Sequence, residues 1–86
     1  MPLTHIDEPG EVDAFGVRFT MEERGHRVRC HVFRSAITAT ADRRAASDAD
    51  LLEMFQACRG VLERHASSLY DAGHRNPWIE AIVIRT

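Results

Sequence analysis

The sequence predicts a small α+β domain in which an antiparallel sheet, built from a β-hairpin and a C-terminal strand, packs against one long helix. Two segments with a period of two predict the hairpin, and one capped segment with helical periodicity predicts the helix. The expected order is strand, strand, short helix, long helix, strand. The 86 residues suffice for a single domain, at 13–86, preceded by a mostly irregular arm at 1–12.

Apolar side chains alternate with polar or small ones in two neighbouring segments. The apolar positions are Phe15, Val17, Phe19 and Met21 in the first segment and Val28, Cys30 and Val32 in the second. The polar loop 22–26 contains Gly25 and is suited to joining the two strands as a hairpin. Because successive strand residues point to opposite faces, the hairpin buries one apolar face. The polar residues of the outer face are Arg18, Arg27, Arg29 and His31.

The clearest helix signal covers residues 48–72. Ser47 stands before two acidic residues, Asp48 and Asp50, and so resembles an N-cap whose first turn favours negative charge. Apolar residues then recur at helical spacing, namely Leu51, Phe55, Cys58, Leu62 and Leu69. Gly73 suits the position that follows a helix end. The helix is therefore expected to be about 37 Å long.

Two shorter elements complete the prediction. Ser35 is a candidate cap for a short helix over Ser35–Ala41, although Thr38 and Thr40 weaken that helix. After a turn at Asn76-Pro77, residues 78–84 read as a third strand that is largely apolar on both faces. Such a strand is either central in its sheet or covered on its second side by a partner.

The charge of the chain excludes some chemistry. All 11 basic residues are arginine, which excludes Schiff-base catalysis by lysine and a Walker A phosphate loop. The formal net charge is −2, but residues 1–26 carry −4, residues 27–47 carry +4 and residues 48–86 carry −2. The beginning of the chain lacks the pattern of a secretory signal, and no apolar run is long enough to span a membrane. We therefore expect a cytoplasmic protein with no membrane partner.

Two cysteines and five histidines raise the question of metal binding. Cys30 and His31 are adjacent on a strand and so point to opposite faces, while Cys58 and His65 are about 10.5 Å apart along the helix. Neither pair fits one zinc ion, whose ligands lie within about 2.3 Å of it. Neither serine nor acidic residues form a recognisable catalytic arrangement. We expect no metal site, no cofactor and no catalytic residues, and an enzymatic role is the less favoured interpretation.

Several segments together resemble a small family of bacterial proteins, the DUF1488 family. The residues that carry the resemblance are Asp13, Val17 to Phe19, Arg27 to Cys30, Leu51-Leu52, Phe55, Arg59 and Ile82 to Ile84. The resemblance covers about 13 to 84, most of the chain, and lies mainly in core positions. It implies the α+β architecture described above and a bacterial origin. The family has no assigned activity, cofactor or active site, so the resemblance implies no functional residue.

Two surfaces are candidates for binding. The first is an arginine-rich surface that would contact an anion or nucleic acid; its residues are Arg18, Arg27, Arg29, His31, Arg34, Arg43 and Arg44. Only Phe33 among the outer positions is aromatic, so this surface lacks a base-stacking platform, and the acids of residues 1–26 are able to neutralise it. The second is a contact between two copies of the chain through Trp78, Ile79 and Val83.

The favoured hypothesis is a non-enzymatic bacterial interaction module that forms a homodimer, with a further protein partner left open. The alternative is a small nucleic-acid-associated regulator that uses the surface of residues 27–44. A third interpretation is an enzyme subunit that lacks its own active site.

Overall fold

A computed structural model describes residues 3–81 and shows an α+β fold with one sheet and two helices. The elements are β1 (Thr4–His5), β2 (Glu11–Val12), β3 (Gly16–Glu23), β4 (His26–Phe33), α1 (Arg34–Ala41), α2 (Asp48–Asp71) and β5 (Trp78–Ile79). The sheet order is β1-β3-β4-β5, and β2 also pairs with β3. The predicted fold class is thus confirmed, and both helices contribute to the single core on one face of the sheet.

The hairpin of β3 and β4 forms as the alternation predicts. Its antiparallel register runs from Gly16 opposite Phe33 to Glu23 opposite His26. Arg24 and Gly25 form the two-residue turn, both with positive φ, as expected for a hairpin turn that follows the twist of the strands. The apolar face is buried, and its members are Val17, Phe19, Met21, Val28, Cys30 and Val32.

Phe15 is the exception to this pattern. It was predicted on the buried face, but it precedes β3 and its side chain is 61% exposed. Asp13 explains the difference, because one carboxylate oxygen, Oδ1, accepts hydrogen bonds from the backbone N–H groups of Phe15 and Gly16, both at 2.9 Å. This side-chain turn interrupts the strand alternation and leaves Phe15 outside the core.

Both predicted helices are present. Helix α2 begins after Ser47, whose hydroxyl accepts the Asp50 N–H at 3.1 Å, and it ends at Asp71, with Ala72 as its C-cap and Gly73 next at a φ of +109°. Helix α1 starts at Arg34, directly after β4, with Phe33 at its N-cap. The expectation that Ser35 caps this helix is wrong, because Ser35 already lies inside it.

The C-terminal strand β5 differs most from the prediction. It pairs with β4 in parallel, with Trp78 opposite His31 and Ile79 opposite Val32, so the sheet is mixed rather than wholly antiparallel. The parallel direction follows because the chain crosses the core face through both helices before it returns to β4. Ile79 is fully buried opposite Val32 and is therefore not available as a dimer contact. Residues 82–84 of the predicted strand, including Val83, lie outside the described residues.

The N-terminal arm contains β1 and β2, which both pair with β3, and the buried side chain of Leu3. Its carbonyls are held by Arg59 of α2, which donates to Glu8 O at 2.6 Å and to Ile6 O at 3.3 Å. Arg59 also donates to Glu63 at 3.0 Å, and Glu63 contacts the ring of His5 at 2.8 Å. We call Arg59 and Glu63 the arm latch, since they fasten residues 5–8 to the helix. Among residues 3–81, no helix has the length and hydropathy needed to cross a bilayer.

Candidate functional site

The outer face of the sheet carries three aromatic residues close together, Phe15, Phe33 and Trp78, which we call the aromatic patch. Trp78 is 46% exposed, and its ring centre lies 5.1 Å from that of Phe33 and 6.3 Å from that of Phe15. Phe15 reaches this group because of the Asp13 turn, and Trp78 because β5 pairs with β4. The expectation that Phe33 is the only outer aromatic is therefore wrong.

His31 lies at the centre of the patch. The sequence places it correctly on the outer face, but as an accessible basic residue, whereas its side chain is only 4% exposed. The Trp78 ring covers it edge-on at 4.0 Å, and Phe15 and Phe33 lie within 6.3 Å. On this face, His31 thus contributes a buried polar ring and not a surface cation.

Asp13 and His31 form a hydrogen-bonded pair beneath the aromatic rings. His31 Nε2 lies 2.9 Å from Asp13 Oδ2, whereas Nδ1 is buried without a hydrogen-bond partner among the described residues. Desolvation alone would raise the pKa of Asp13. The hydrogen bonds from Phe15, Gly16 and His31 outweigh it and hold that pKa below its usual value. Asp13 is therefore an acceptor, and His31 Nε2 carries the proton between them.

A pocket of about 450 Å³ opens beside this pair. It is lined by Asp13, Phe15, Arg18, Arg29, Cys30, His31, Asn76 and Trp78. Its volume lies in the range of roughly 300–1,000 Å³ that is usual for ligand sites. Aromatic rings form its walls, and two guanidinium groups and one carboxylate supply its charge. We call it the outer-face pocket.

The predicted arginine surface is divided between distant elements and largely neutralised within the chain. Four arginines form ion pairs: Arg18 with Glu11, Arg27 with Glu8, Arg34 with Asp48 and Arg43 with Asp50. Arg29 and Arg44 pair with no acidic side chain within residues 3–81. The structure brings only Arg18 and Arg29 together with His31, at the pocket; Arg43 and Arg44 lie in the loop between the helices.

The described residues give no indication of metal binding or of a reactive thiol at this site. Over residues 3–81, no three histidine, cysteine or acidic side chains come together to hold an ion. The Cys30 thiol points into the core behind the pocket, where burial, together with the nearby Glu63 charge, raises its pKa to about 12. At neutral pH this thiol is therefore protonated and a poor nucleophile.

The pocket lies within the part of the chain that relates it to other proteins. Residues 9–81 match the family model described as a protein of unknown function, DUF1488. The chain belongs to the DUF1488 family. Every residue of the outer-face pocket falls inside the matched range, so the site is part of the DUF1488 domain itself. Among curated proteins and solved structures, none matches this chain.

Four residues of the pocket were not among the predicted site residues. Asp13 entered only through the family resemblance, Phe15 and Cys30 were assigned to the core, and Asn76 was assigned to a turn. One local signal was available, because an aspartate shortly before a glycine commonly accepts backbone N–H groups and ends a regular strand. No local signal indicated that Asn76 would return to β4, where its amide donates to Arg29 O at 3.2 Å.

Proposed function

We propose that this DUF1488 protein is a non-enzymatic bacterial interaction module that self-associates through the aromatic patch. The observation that carries the proposal is the exposure of Phe15 and Trp78, side by side, on the sheet face that neither helix covers. Large exposed aromatic residues in contact with each other are typical of protein interaction sites.

Energetics support a contact between two copies. A small domain buries a limited fraction of its surface, so further burial adds useful stability. Each aromatic side chain is able to bury about 150–250 Å², and burial contributes roughly 25 cal/mol per Å². A two-fold axis through the patch would bring two patches together and double that area. The patch would then form the apolar centre of an interface, with Arg18 and Glu11 at its rim.

A non-enzymatic role is favoured by the state of the reactive groups in and behind the pocket. The Asp13–His31 pair is closed off by aromatic rings, and the Cys30 thiol, buried on the opposite face of β4, has a raised pKa. We further propose that the protein functions in the cytoplasm, where thiols such as those of Cys30 and Cys58 stay reduced.

The first prediction concerns the oligomeric state. We expect light scattering after size exclusion to give twice the 9.7 kDa chain mass for the wild type. Phe15→Glu and Trp78→Glu place a charge in the contact and should shift the protein to a monomer. The matched control Gln56→Glu adds the same charge on the exposed side of α2 and should remain a dimer. A wild-type monomer at high concentration would contradict the proposal.

The alternative function, a nucleic-acid-associated regulator, is favoured by one observation. Arg29 and Arg44 pair with no acid among residues 3–81, and the aromatic patch lies between their pockets as a surface on which bases could stack. Binding to generic single-stranded DNA and RNA, measured at about 50 mM salt and again at higher salt, tests it, because phosphate contacts weaken steeply with salt. Absence of binding at the lower salt concentration would exclude this alternative.

A further inference from the structure

We propose that the outer-face pocket binds a small planar anion, namely an aromatic or heteroaromatic ring that carries a carboxylate or phosphate. This inference goes beyond self-association and does not depend on it. The two proposals share the outer sheet face and the residues Phe15 and Trp78, so ligand binding and the contact between two copies would compete for the same surface.

The walls of the pocket favour a ring. The exposed rings of Phe15 and Trp78 contact each other, with their centres 6.3 Å apart, and both contact the buried ring of His31, at 6.3 Å and 4.0 Å between ring centres. Aromatic rings attract one another edge to face or in offset stacks at such separations. A flat aromatic ligand therefore makes more contact with these walls than a compact or branched one.

The charge of the pocket favours an anion. The Asp13 carboxylate is already engaged by two backbone N–H groups, by His31 and by Arg18 at 3.5 Å. Arg18 also pairs with Glu11 at 3.0 Å. The remaining charge is that of Arg29, whose guanidinium pairs with no acid among residues 3–81. A guanidinium presents two parallel N–H groups that match a carboxylate or a phosphate.

The polar lining of the pocket is held in place by the fold. His31 is more than nine-tenths buried, and its Nε2 lies 2.9 Å from Asp13 Oδ2. Because the proton lies on Nε2, the Nδ1 atom, which has no partner among the described residues, is an acceptor, so the anionic group of the ligand is left to Arg29. Asn76 fixes the other side of the pocket, because its bond to Arg29 O holds the turn before β5 against β4.

Binding is tested with four probes: benzoate, phenyl phosphate, benzamide and inorganic phosphate. Benzoate and phenyl phosphate carry ring and charge, benzamide is a neutral analogue of benzoate, and inorganic phosphate has charge without a ring. The readout is the NMR signal of the indole N–H of Trp78, the only tryptophan in the chain, together with the Arg29 side-chain N–H signals. We expect benzoate or phenyl phosphate to shift both signals and to bind about tenfold or more tightly than benzamide and inorganic phosphate.

Two variants distinguish binding in the pocket from nonspecific binding of the probes to the protein surface. Arg29→Gln should weaken binding of the acidic ring probes about tenfold or more. The matched control Arg64→Gln, on the exposed side of α2, should bind them like the wild type. The inference is overturned if neither acid shifts the Trp78 signal, if benzamide binds as tightly as benzoate, or if the two variants bind equally.

Measuring the mass of the same samples keeps the two proposals distinct. A monomer that binds benzoate with the expected Arg29 dependence would support the ligand site and contradict self-association. At a protein concentration at which light scattering gives a monomer, a Trp78 signal that no probe shifts would contradict the ligand site alone.

Discussion

Gly16 begins β3 and lies opposite Phe33, the last residue of β4. A Cβ atom at this position would lie 2.0 Å from the carbonyl oxygen of Val32 and 2.8 Å from the backbone N of Arg34. Both are backbone atoms, so neither can move aside without disturbing the end of the hairpin and the start of α1. Only glycine fits here, and the same residue donates its N–H to the Asp13 turn.

Gly16 and Gly60 should therefore respond in opposite ways to the same substitution. Gly16→Ala is expected to lower the free energy of unfolding by about 3 kcal/mol or more, because the added methyl group overlaps backbone atoms. Gly60→Ala should raise it by about 1 kcal/mol, since Gly60 lies inside α2 with open space around it. Urea denaturation measures both values. A Gly16→Ala protein as stable as the wild type would contradict this account.

Cys30 gives a prediction about pH. Burial raises its pKa to about 12, so at pH 8 the native thiol is protonated and should resist iodoacetamide. The test uses Cys58→Ser, in which Cys30 is the single remaining cysteine. We expect almost no labelling of this variant at pH 8 without denaturant and full labelling in urea. Because the folded pKa is raised, this group favours the native state below its unfolded pKa, and the contribution is lost as the pH rises toward 12. Rapid labelling of the native variant would show that Cys30 is accessible.

His31 and Phe15 show how far single residues can be placed from sequence. Alternation along β4 gives the correct face for His31, because the side-chain period of a strand is fixed by its geometry. The burial of His31 depends on Trp78, which is distant from it in the sequence. No local sequence pattern therefore predicts that burial. The prediction for Phe15 was wrong because it extended the strand alternation back beyond Gly16. Phe15 lies instead in the turn that the Asp13 side chain holds.

Among the elements, those with strong local signals were predicted closely. Helix α2 combines a capping serine, acidic residues in its first turn and a continuous apolar stripe, and its observed range differs from the prediction by one residue. The direction of β5 has no such local signal. Only two residues of β5 pair with β4, and the crossover that brings them there is determined by tertiary packing.

The arm latch is the element-scale feature with the largest expected effect on stability. Arg59→Met would leave the largely buried Glu63 with His5 as its remaining partner and free the carbonyls of Ile6 and Glu8. Loss of one partner of a buried ion pair costs roughly 3–5 kcal/mol. We expect a decrease of that order in urea denaturation, together with faster proteolysis of the arm.

Two further variants control this prediction. Arg64→Met changes the same residue type at an exposed position of α2 and should alter stability by less than about 0.5 kcal/mol. The double variant Arg59→Met, Glu63→Leu removes both charges and should be less destabilised than Arg59→Met alone. If Arg59→Met alone leaves the stability and the proteolysis of the arm unchanged, the arm is not held by this pair.

For the whole molecule, folding redistributes the charge that the sequence keeps in separate blocks. The acidic first segment supplies Glu8 and Glu11 to Arg27 and Arg18, and the start of α2 supplies Asp48 and Asp50 to the arginines around α1. Exposed pairs of this kind add little stability, typically up to about 1 kcal/mol each. Their main effect is on the distribution of charge. Within residues 3–81, they neutralise the other arginines of the predicted surface except Arg44 and leave Arg29 as the unpaired cation of the outer-face pocket.

The parallel pairing of β5 with β4 also determines at which stage of folding the outer-face pocket forms. Trp78 pairs opposite His31, which lies 47 positions earlier in the chain, and both helices lie between them. Contacts of such long sequence separation close late in folding, after the local hairpin and helices have formed. A nascent or partly unfolded chain would therefore carry the arginines and Phe15 without the wall that Trp78 provides. Any partner or ligand that requires this wall selects completely folded molecules and, by mass action, stabilises them.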